Sequence, residues 1–156
     1  MRKFLCLFFT TCAIFGLEDT FGPNPTHYTY PYFTAGLRAP KIDIGAGIGI
    51  RLRKHRHGVD ASSTWNYAPC FSNYINVKAH YICYLQPSKI NSFFLGLGGG
   101  LNVYNSWIQP NEFFPELLIG REIETRRNKH SFAELQTIYL PNQNKPQFAL
   151  FYGWGF

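Results

Sequence analysis

Apolar and polar residues alternate along most of this chain, which is the pattern of strands with one apolar and one polar face. The longest example runs from Ile42 to Arg53, where isoleucine, alanine and leucine take one face and aspartate, glycine and arginine take the other. The last nine residues repeat the pattern with aromatic side chains. Their large apolar face consists of Phe148, Leu150, Tyr152, Trp154 and Phe156. Successive strand residues point to opposite sides, so the other face is mostly small.

The same period predicts eight strands and no long helix. The predicted strands cover residues 32–37, 42–53, 59–67, 74–85, 93–104, 116–124, 132–139 and 148–156. Segments between them are short and rich in proline, asparagine and basic residues, and the longest is expected around residues 105–112. Residues 18–31 contain three prolines and are predicted to be an irregular lead-in to a barrel over residues 32–156. The predicted fold is an all-β, eight-stranded antiparallel up-and-down barrel.

The sequence also indicates which face of this barrel points inward. The interior of an eight-stranded barrel is just wide enough for side chains, and eight faces rich in Ile, Leu, Phe and Tyr would overfill it. Turned outward, these faces form a lipid-facing band, and closure of the barrel satisfies every backbone group where water is absent. The pattern therefore predicts a transmembrane barrel.

The inward faces combine glycine with charged residues, which must be paired when they are buried. The predicted luminal network comprises Asp43, Arg51, Arg53, Lys78, His80, Glu116, Glu122, Glu124 and Glu134. In the alternative interpretation, the glycines of the second and fifth strands leave a small binding pocket inside the barrel.

Composition agrees with a β-rich membrane protein. Hydrophobic residues make up 46% of the 156 residues, aromatic residues 18% and charged residues only 15%. After the first twenty residues no apolar run approaches the ~20 residues that a membrane-spanning helix needs. The net charge of +6 is compatible with anionic lipid head groups, and a basic excess this small does not predict nucleic-acid binding.

Residues 1–17 are predicted to be a cleaved signal peptide, because Arg2 and Lys3 precede a short apolar core. A buried amino-terminal strand or helix, and a lipoprotein anchored through Cys12, are the alternatives. Without this leader 13 basic and 9 acidic residues remain, a net charge of +4. Cys70 and Cys83 remain as well. They lie thirteen strand residues apart, at ~3.3 Å each, which exceeds the ~7 Å limit for a disulfide, so no bridge between them is expected.

With these features the chain resembles the small eight-stranded outer-membrane β-barrels of Gram-negative bacteria. In that family the last strand ends in phenylalanine and carries aromatic or apolar residues at alternate positions before it, as residues 148–156 do here. The resemblance implies that the barrel-assembly machinery reads this strand and that outer-membrane lipids surround the protein. It also implies that both termini face the periplasm. The turns at 53–58, 86–91 and 126–130 would then be periplasmic, and the connections at 38–40, 68–71, 105–112 and 141–145 extracellular.

Two histidine-containing groups invite a chemical interpretation. His130, Ser131 and Glu134 are the residue types with which some outer-membrane barrels deacylate lipid A, but adjacent strand residues point to opposite faces. His55 and His57 would share a face, although the basic residues around them oppose cation binding. No catalytic residue, metal ligand or cofactor is assigned. The basic turns at 53–58 and 126–130 are interpreted as solvated turns, with contact to anionic head groups as the alternative.

The expected function is that of an outer-membrane barrel with a structural, surface-exposed or interaction role and no aqueous pore. The alternatives are a lipid-modifying enzyme of the lipid A deacylase type and a soluble periplasmic ligand-binding barrel.

Overall fold

The chain forms a closed antiparallel barrel in which eight strands follow one another in sequence order. The computed structural model describes residues 27–40, 42–67, 73–86, 91–104, 111–126 and 129–156. Its strands are β1 (His27–Ala39), β2 (Asp43–Lys54), β3 (His57–Tyr67), β4 (Tyr74–Tyr84), β5 (Ser92–Tyr104), β6 (Glu112–Arg126), β7 (Lys129–Leu140) and β8 (Lys145–Gly155). Each strand pairs with the next, and β1 closes the barrel on β8. The predicted fold class is therefore confirmed. Among the described residues no helix is long and apolar enough to cross a membrane.

The predicted phase of each strand is also confirmed. In β2, Ile48 points outward and is 59% exposed, whereas Arg51 points to the inside of the barrel and is completely buried. The lumen is the space that the inward faces enclose. Arg121 is a charged residue with the outward phase of β6; it is exposed on the outside and lies over the ring of Phe93 at 5.2 Å. Cys83 has the outward phase of β4 and is nevertheless buried.

β1 and β6 begin four or five residues earlier than the sequence pattern indicates, and each early segment contains a proline that is paired with only one neighbouring strand, a position where proline is tolerated. β1 starts at His27, so residues 27–31 belong to the barrel and not to an irregular lead-in. Pro31 lies where β8 ends at Gly155, and its carbonyl oxygen accepts a hydrogen bond from the backbone N–H of Phe156. β6 starts at Glu112, and Pro115 precedes the first residue pair between β6 and β7. The connection predicted around 105–112 is correspondingly shorter.

The basic turn predicted at residues 53–58 is tighter than expected. Only His55 and Arg56 lie between β2 and β3, and His55 has a positive φ of 56°, as tight hairpin turns require. Arg53 and Arg56 are buried, so the interpretation of this segment as a solvated basic turn is wrong for both guanidinium groups.

Glycine and large side chains face each other across neighbouring strands inside the barrel. Tyr32 lies opposite Gly49, Phe94 opposite Gly120, Phe132 opposite Gly153, and Leu118 opposite Gly96. A Cβ atom at Gly153 would lie only 2.1 Å from the Phe132 ring. On β2 and β5 the luminal glycines similarly receive the side chains of Tyr32, His80, Phe114, Leu118 and Phe151. These glycines therefore make room for side chains from other strands, and the alternative that they leave an open pocket is wrong.

Two buried apolar clusters occupy the lumen along the barrel. The first consists of Tyr30, Tyr32, Ile82, Tyr84, Phe94, Leu118 and Phe132. The second consists of Phe114, Ile138, Leu140, Ala149 and Phe151. All of these buried residues come from β1 and β4–β8, and the inward faces of β2 and β3 contribute glycine, polar and charged residues instead.

The pairing of Gly96 with Leu118 predicts a specific pattern of stability. A Cβ atom at Gly96 would lie 2.5 Å from Leu118 Cδ1, so Gly96→Ala should reduce the free energy of unfolding by about 1–3 kcal/mol through overpacking. Leu118→Ala alone should cost about 2–5 kcal/mol by opening a cavity. Because the added methyl group partly fills that cavity, the double variant should lose less than the sum. Equilibrium urea unfolding measures all three, and strictly additive losses would contradict the pairing.

Candidate functional site

Arg51 occupies the centre of the lumen, where the inward phase of β2 places it. Its Nε donates a hydrogen bond to Oδ2 of Asp60 at 2.8 Å, and its Nη2 donates to Oε2 of Glu134 at 2.9 Å. Nη1 lies 3.7 Å from Oε2 of Glu122. These carboxylates come from β3, β7 and β6, so a single guanidinium group links four strands across the barrel.

Aromatic rings surround this group. The guanidinium carbon of Arg51 lies 4.0 Å from the ring centre of Phe132, 4.9 Å from that of Phe94 and 5.7 Å from that of Tyr32. Cation–π contact stabilises the cation, and the exclusion of water strengthens its ion pairs. The hydroxyl group of Tyr32 also donates to Asp60, at 2.9 Å from Oδ1.

A second cluster of charges adjoins the first. Lys78 Nζ lies 3.7 Å from Oε1 of Glu116, and His80 Nε2 lies 3.5 Å from the other oxygen of the same carboxylate. Lys78 donates to Oε1 of Gln136 at 2.9 Å, and Gln136 in turn donates to Glu134 at 2.8 Å. Through Gln136 and Glu134 this cluster is continuous with the partners of Arg51.

At the end of the lumen beside the His55–Arg56 turn, aromatic residues and a histidine surround Glu122. The hydroxyl groups of Tyr28 and Tyr84 both donate to this carboxylate, and His130 Nδ1 lies 3.2 Å from it. The imidazole of His130 stacks on Tyr30 with ring centres 4.3 Å apart.

Arg53 completes this end. Its Nη1 donates to the Tyr28 hydroxyl oxygen at 2.9 Å, its Nε donates to the carbonyl oxygen of His55 at 2.9 Å, and its guanidinium group lies over the Tyr84 ring at 3.8 Å. Arg53 therefore ties the hairpin turn to the luminal aromatic residues.

At the opposite end of the lumen lie side-chain amides and one further arginine. Arg38 donates to the Tyr74 hydroxyl oxygen at 2.8 Å and to Oδ1 of Asn76 at 3.1 Å, and Tyr74 donates to Asp43 at 2.8 Å. The side-chain amides of Asn66, Asn76 and Asn102 are hydrogen-bonded to one another. Polar groups therefore extend from one end of the lumen to the other.

The residues predicted for the luminal network differ in where they lie. The structure brings Arg51, Lys78, His80, Glu116, Glu122 and Glu134 into the two joined clusters. Asp43 and Arg53 are buried at opposite ends of the lumen, where each is hydrogen-bonded to a tyrosine hydroxyl group. Glu124 is half-buried near the end of β6, where its backbone N–H donates to Asn91.

Sequence reasoning missed three luminal residues with important contacts. Asp60 has the inward phase of β3 and is the tightest partner of Arg51, but it lies in a strand whose inward face is otherwise uncharged. Arg38 and Glu112 are buried in β1 and β6, in segments that the pattern assigned to connections. The alternation of apolar residues simply continues into both segments, and this signal could have found them.

The five residues of the terminal apolar face, Phe148, Leu150, Tyr152, Trp154 and Phe156, all lie on the outer surface and are 42–60% exposed. The Tyr152 and Trp154 rings meet edge to face at 4.6 Å, and the Phe156 ring lies 5.5 Å from that of Phe33 on β1. These aromatic residues therefore cover the seam at which β8 closes the barrel.

The three residues considered for catalysis do not share one face. His130 and Glu134 lie in the lumen, whereas Ser131 has the outward phase of β7. No group of three or more metal-ligating side chains occurs among the residues that the structure describes. The predicted signal peptide and Cys70 lie outside the described residues, so the absence of a Cys70–Cys83 bridge stays a prediction.

Comparison with known proteins identifies the fold alone. No family model matches the chain, and no curated protein matches it in sequence. Among solved structures it is similar to the N-terminal β-barrel domain of Pseudomonas aeruginosa OprF, with a TM-score of 0.60 and 14% sequence identity. The likeness covers 84% of this chain and 100% of that domain.

The luminal ion pairs predict that Arg51 is far more important for stability than an arginine on the outer face. Arg51→Met leaves three buried carboxylates without their cation and should reduce the free energy of unfolding by about 3–5 kcal/mol. Arg121→Met is the matched control, because Arg121 is exposed and lies over Phe93. Urea titration should show a small effect there.

A second substitution tests the cause of that loss. Adding Glu134→Gln to Arg51→Met removes one of the uncompensated charges and should recover part of the stability. Equal losses of unfolding free energy for Arg51→Met and Arg121→Met, or no recovery of stability in the double variant, would contradict the stabilising role of the Arg51 ion pairs.

Proposed function

We propose that this protein is an integral β-barrel of the outer membrane of a Gram-negative bacterium, with a structural or interaction role. The observation that carries the proposal is its inverted polarity. Charged residues fill the lumen, while the outer surface exposes large apolar side chains such as Ile42 at 70%, Phe113 at 67% and Leu150 at 60%. Soluble monomers rarely expose contiguous apolar patches larger than a few hundred Å². A lipid environment removes this conflict.

The dimensions of the strands support the same location. They contain 11–15 residues, and a tilted strand of about 9–11 residues spans the hydrocarbon core of a bilayer. Trp65 and Tyr67 lie at one end of β3, and Trp154 and Phe156 lie at the opposite end of the barrel, on β8 and just after it. Aromatic residues at both interfaces are typical of outer-membrane barrels, because their rings are apolar and their edges polar.

The structural likeness to the barrel domain of OprF, an outer-membrane protein, also favours this membrane. In this proposal the His55–Arg56 turn faces the periplasm, and the connections after β1, β3, β5 and β7 lie outside the cell. A cleaved signal peptide at residues 1–17 would provide export.

The contents of the lumen support a role without an aqueous pore. Arg51 reaches from β2 to a carboxylate on β7, and Arg38 reaches from β1 to Asn76 on β4. Side chains from distant strands therefore meet inside the barrel at two heights. An interaction role then has to use the outer surface or the ends of the barrel.

Cell fractionation tests the location. We expect the full chain, expressed in a Gram-negative host, to sediment with outer membranes, to resist alkaline extraction and to migrate differently in gels before and after heating. Recovery from the soluble periplasm would contradict the proposal and favour a soluble ligand-binding barrel.

One substitution pair sharpens this test. Ile48→Arg introduces a charge on the outer face halfway along β2 and should cost about 2–4 kcal/mol if that face meets lipid. Asn142→Arg, in the exposed β7–β8 turn, is the control and should cost little. On a soluble barrel both exposed positions should accept arginine equally well.

We also propose that the terminal apolar face from Phe148 to Phe156 is the signal for the barrel-assembly machinery. Its support is the outward, exposed orientation of all five side chains, which leaves them available to a partner before the barrel closes. Phe156 has a structural contact as well, through Phe33, so its two roles must be separated.

Deleting Phe156 should lower the amount of assembled barrel in cells at native expression, while the purified variant should still refold in detergent. Phe33→Ala is the matched control, because it removes the same ring contact and leaves the terminal residue in place. Two results would contradict the proposal that Phe156 is part of an assembly signal. One is equal assembly of the deletion variant and the native chain, and the other is an equal assembly defect in the deletion variant and in Phe33→Ala.

A further inference from the structure

Three basic side chains form a row across the outer surface at the end of the barrel that carries the His55–Arg56 turn. In the strand register Lys54 on β2 pairs with His27 on β1 and with His57 on β3. All three residues have the outward phase and are exposed. Neighbouring strands lie about 4.8 Å apart, so the row is about 10 Å wide, the size of a phosphate group with its glycerol.

An apolar row follows directly along the strands. Thr29, Leu52, Val59 and Tyr81 occupy the next outward positions in the same register. Together the two rows line a surface groove of about 420 Å³. Leu52 and Val59 are 45% and 51% exposed and continue into the apolar band of the barrel. One end of the groove is therefore cationic and the other apolar.

Contacts within the groove orient its donors. The Tyr81 hydroxyl group is hydrogen-bonded to Nδ1 of His57. When Tyr81 donates to Nδ1 of the neutral imidazole, Nε2 carries the proton and donates outward. The His27 ring lies edge to face on that of His55 at 4.7 Å, which holds His27 beside the turn.

The charge of the groove selects its ligand. Its described lining contains Lys54 and the imidazoles of His27 and His57, and no aspartate or glutamate is among the residues that line it. A phosphate group here would accept a charge-assisted hydrogen bond from the Lys54 ammonium group and hydrogen bonds from the imidazole N–H groups. A bare metal cation would be repelled by the Lys54 charge.

We propose that this groove binds one anionic glycerophospholipid, with the phosphate on Lys54, His57 and His27 and an acyl chain along Leu52 and Val59. The proposal rests on the membrane location proposed above and specifies a lipid of the leaflet that contains the His55–Arg56 turn. A lipid is favoured over a free phosphate because the apolar row is continuous with the lipid-facing band.

Native mass spectrometry of the detergent-solubilised barrel, with phosphatidylglycerol or phosphatidylcholine added, tests the groove. The native chain should retain phosphatidylglycerol in preference to phosphatidylcholine. One basic residue near an anionic surface contributes about a fivefold change in binding, so Lys54→Gln/His57→Gln should reduce retention about fivefold or more. Lys129→Gln is the matched control, since Lys129 starts β7 at the same end of the barrel and is exposed.

The possible outcomes separate the two proposals. Insertion of each variant into phosphatidylcholine vesicles is followed by heat-modifiable gel mobility, and failure of the native chain to insert would overturn the membrane location. If all chains insert, equal retention of phosphatidylglycerol by the native chain and the double variant would overturn the groove. An equal loss in Lys129→Gln, equal retention of both lipids, or complete competition by glycerol phosphate would also overturn it.

Discussion

The buried guanidinium group of Arg51 is the interaction on which the rest of the lumen depends. Removing an arginine and its partner carboxylates from water is costly, and attraction compensates for this cost only when geometry is good and other hydrogen bonds are satisfied. Here Asp60 and Glu134 accept short hydrogen bonds from different edges of the same group. Because these carboxylates lie on β3 and β7, the interaction also holds distant strands of the barrel at a set distance.

Glycine makes this arrangement sterically possible. The aromatic rings around Arg51 need space that a Cβ atom on the opposing strand would occupy, as for Phe132 against Gly153 and Phe94 against Gly120. The glycines thus increase apolar packing inside a barrel that is otherwise polar. Rings and ion pairs together surround the buried Arg51 in the lumen.

Luminal side chains contact one another across the barrel, so a partner would meet the outer surface of the molecule. The outer surface is apolar over the middle of the strands and acquires basic side chains at one end, where His27, Lys54 and His57 lie in a row. This succession of an apolar band and a cationic rim matches the order of acyl chains and phosphate groups in a lipid leaflet. The similarity to the OprF domain concerns the fold alone.

The sequence by itself determined the eight strands and the direction of nearly every side chain, because a period of two assigns residues to faces whatever the surrounding structure is. It could not determine which inward residues meet. Arg51 and Glu134 are 83 residues apart, and their contact depends on the strand register and on closure of the barrel. The same applies to the early starts of β1 and β6, where only the strand register shows that Pro31 and Pro115 each lie one residue beyond the pairs formed with one neighbouring strand. Tertiary structure alone decided that side chains from other strands fill the space beside the luminal glycines. It also decided that three basic residues lie in one row. Both features depend on which residues lie opposite each other in the strand register.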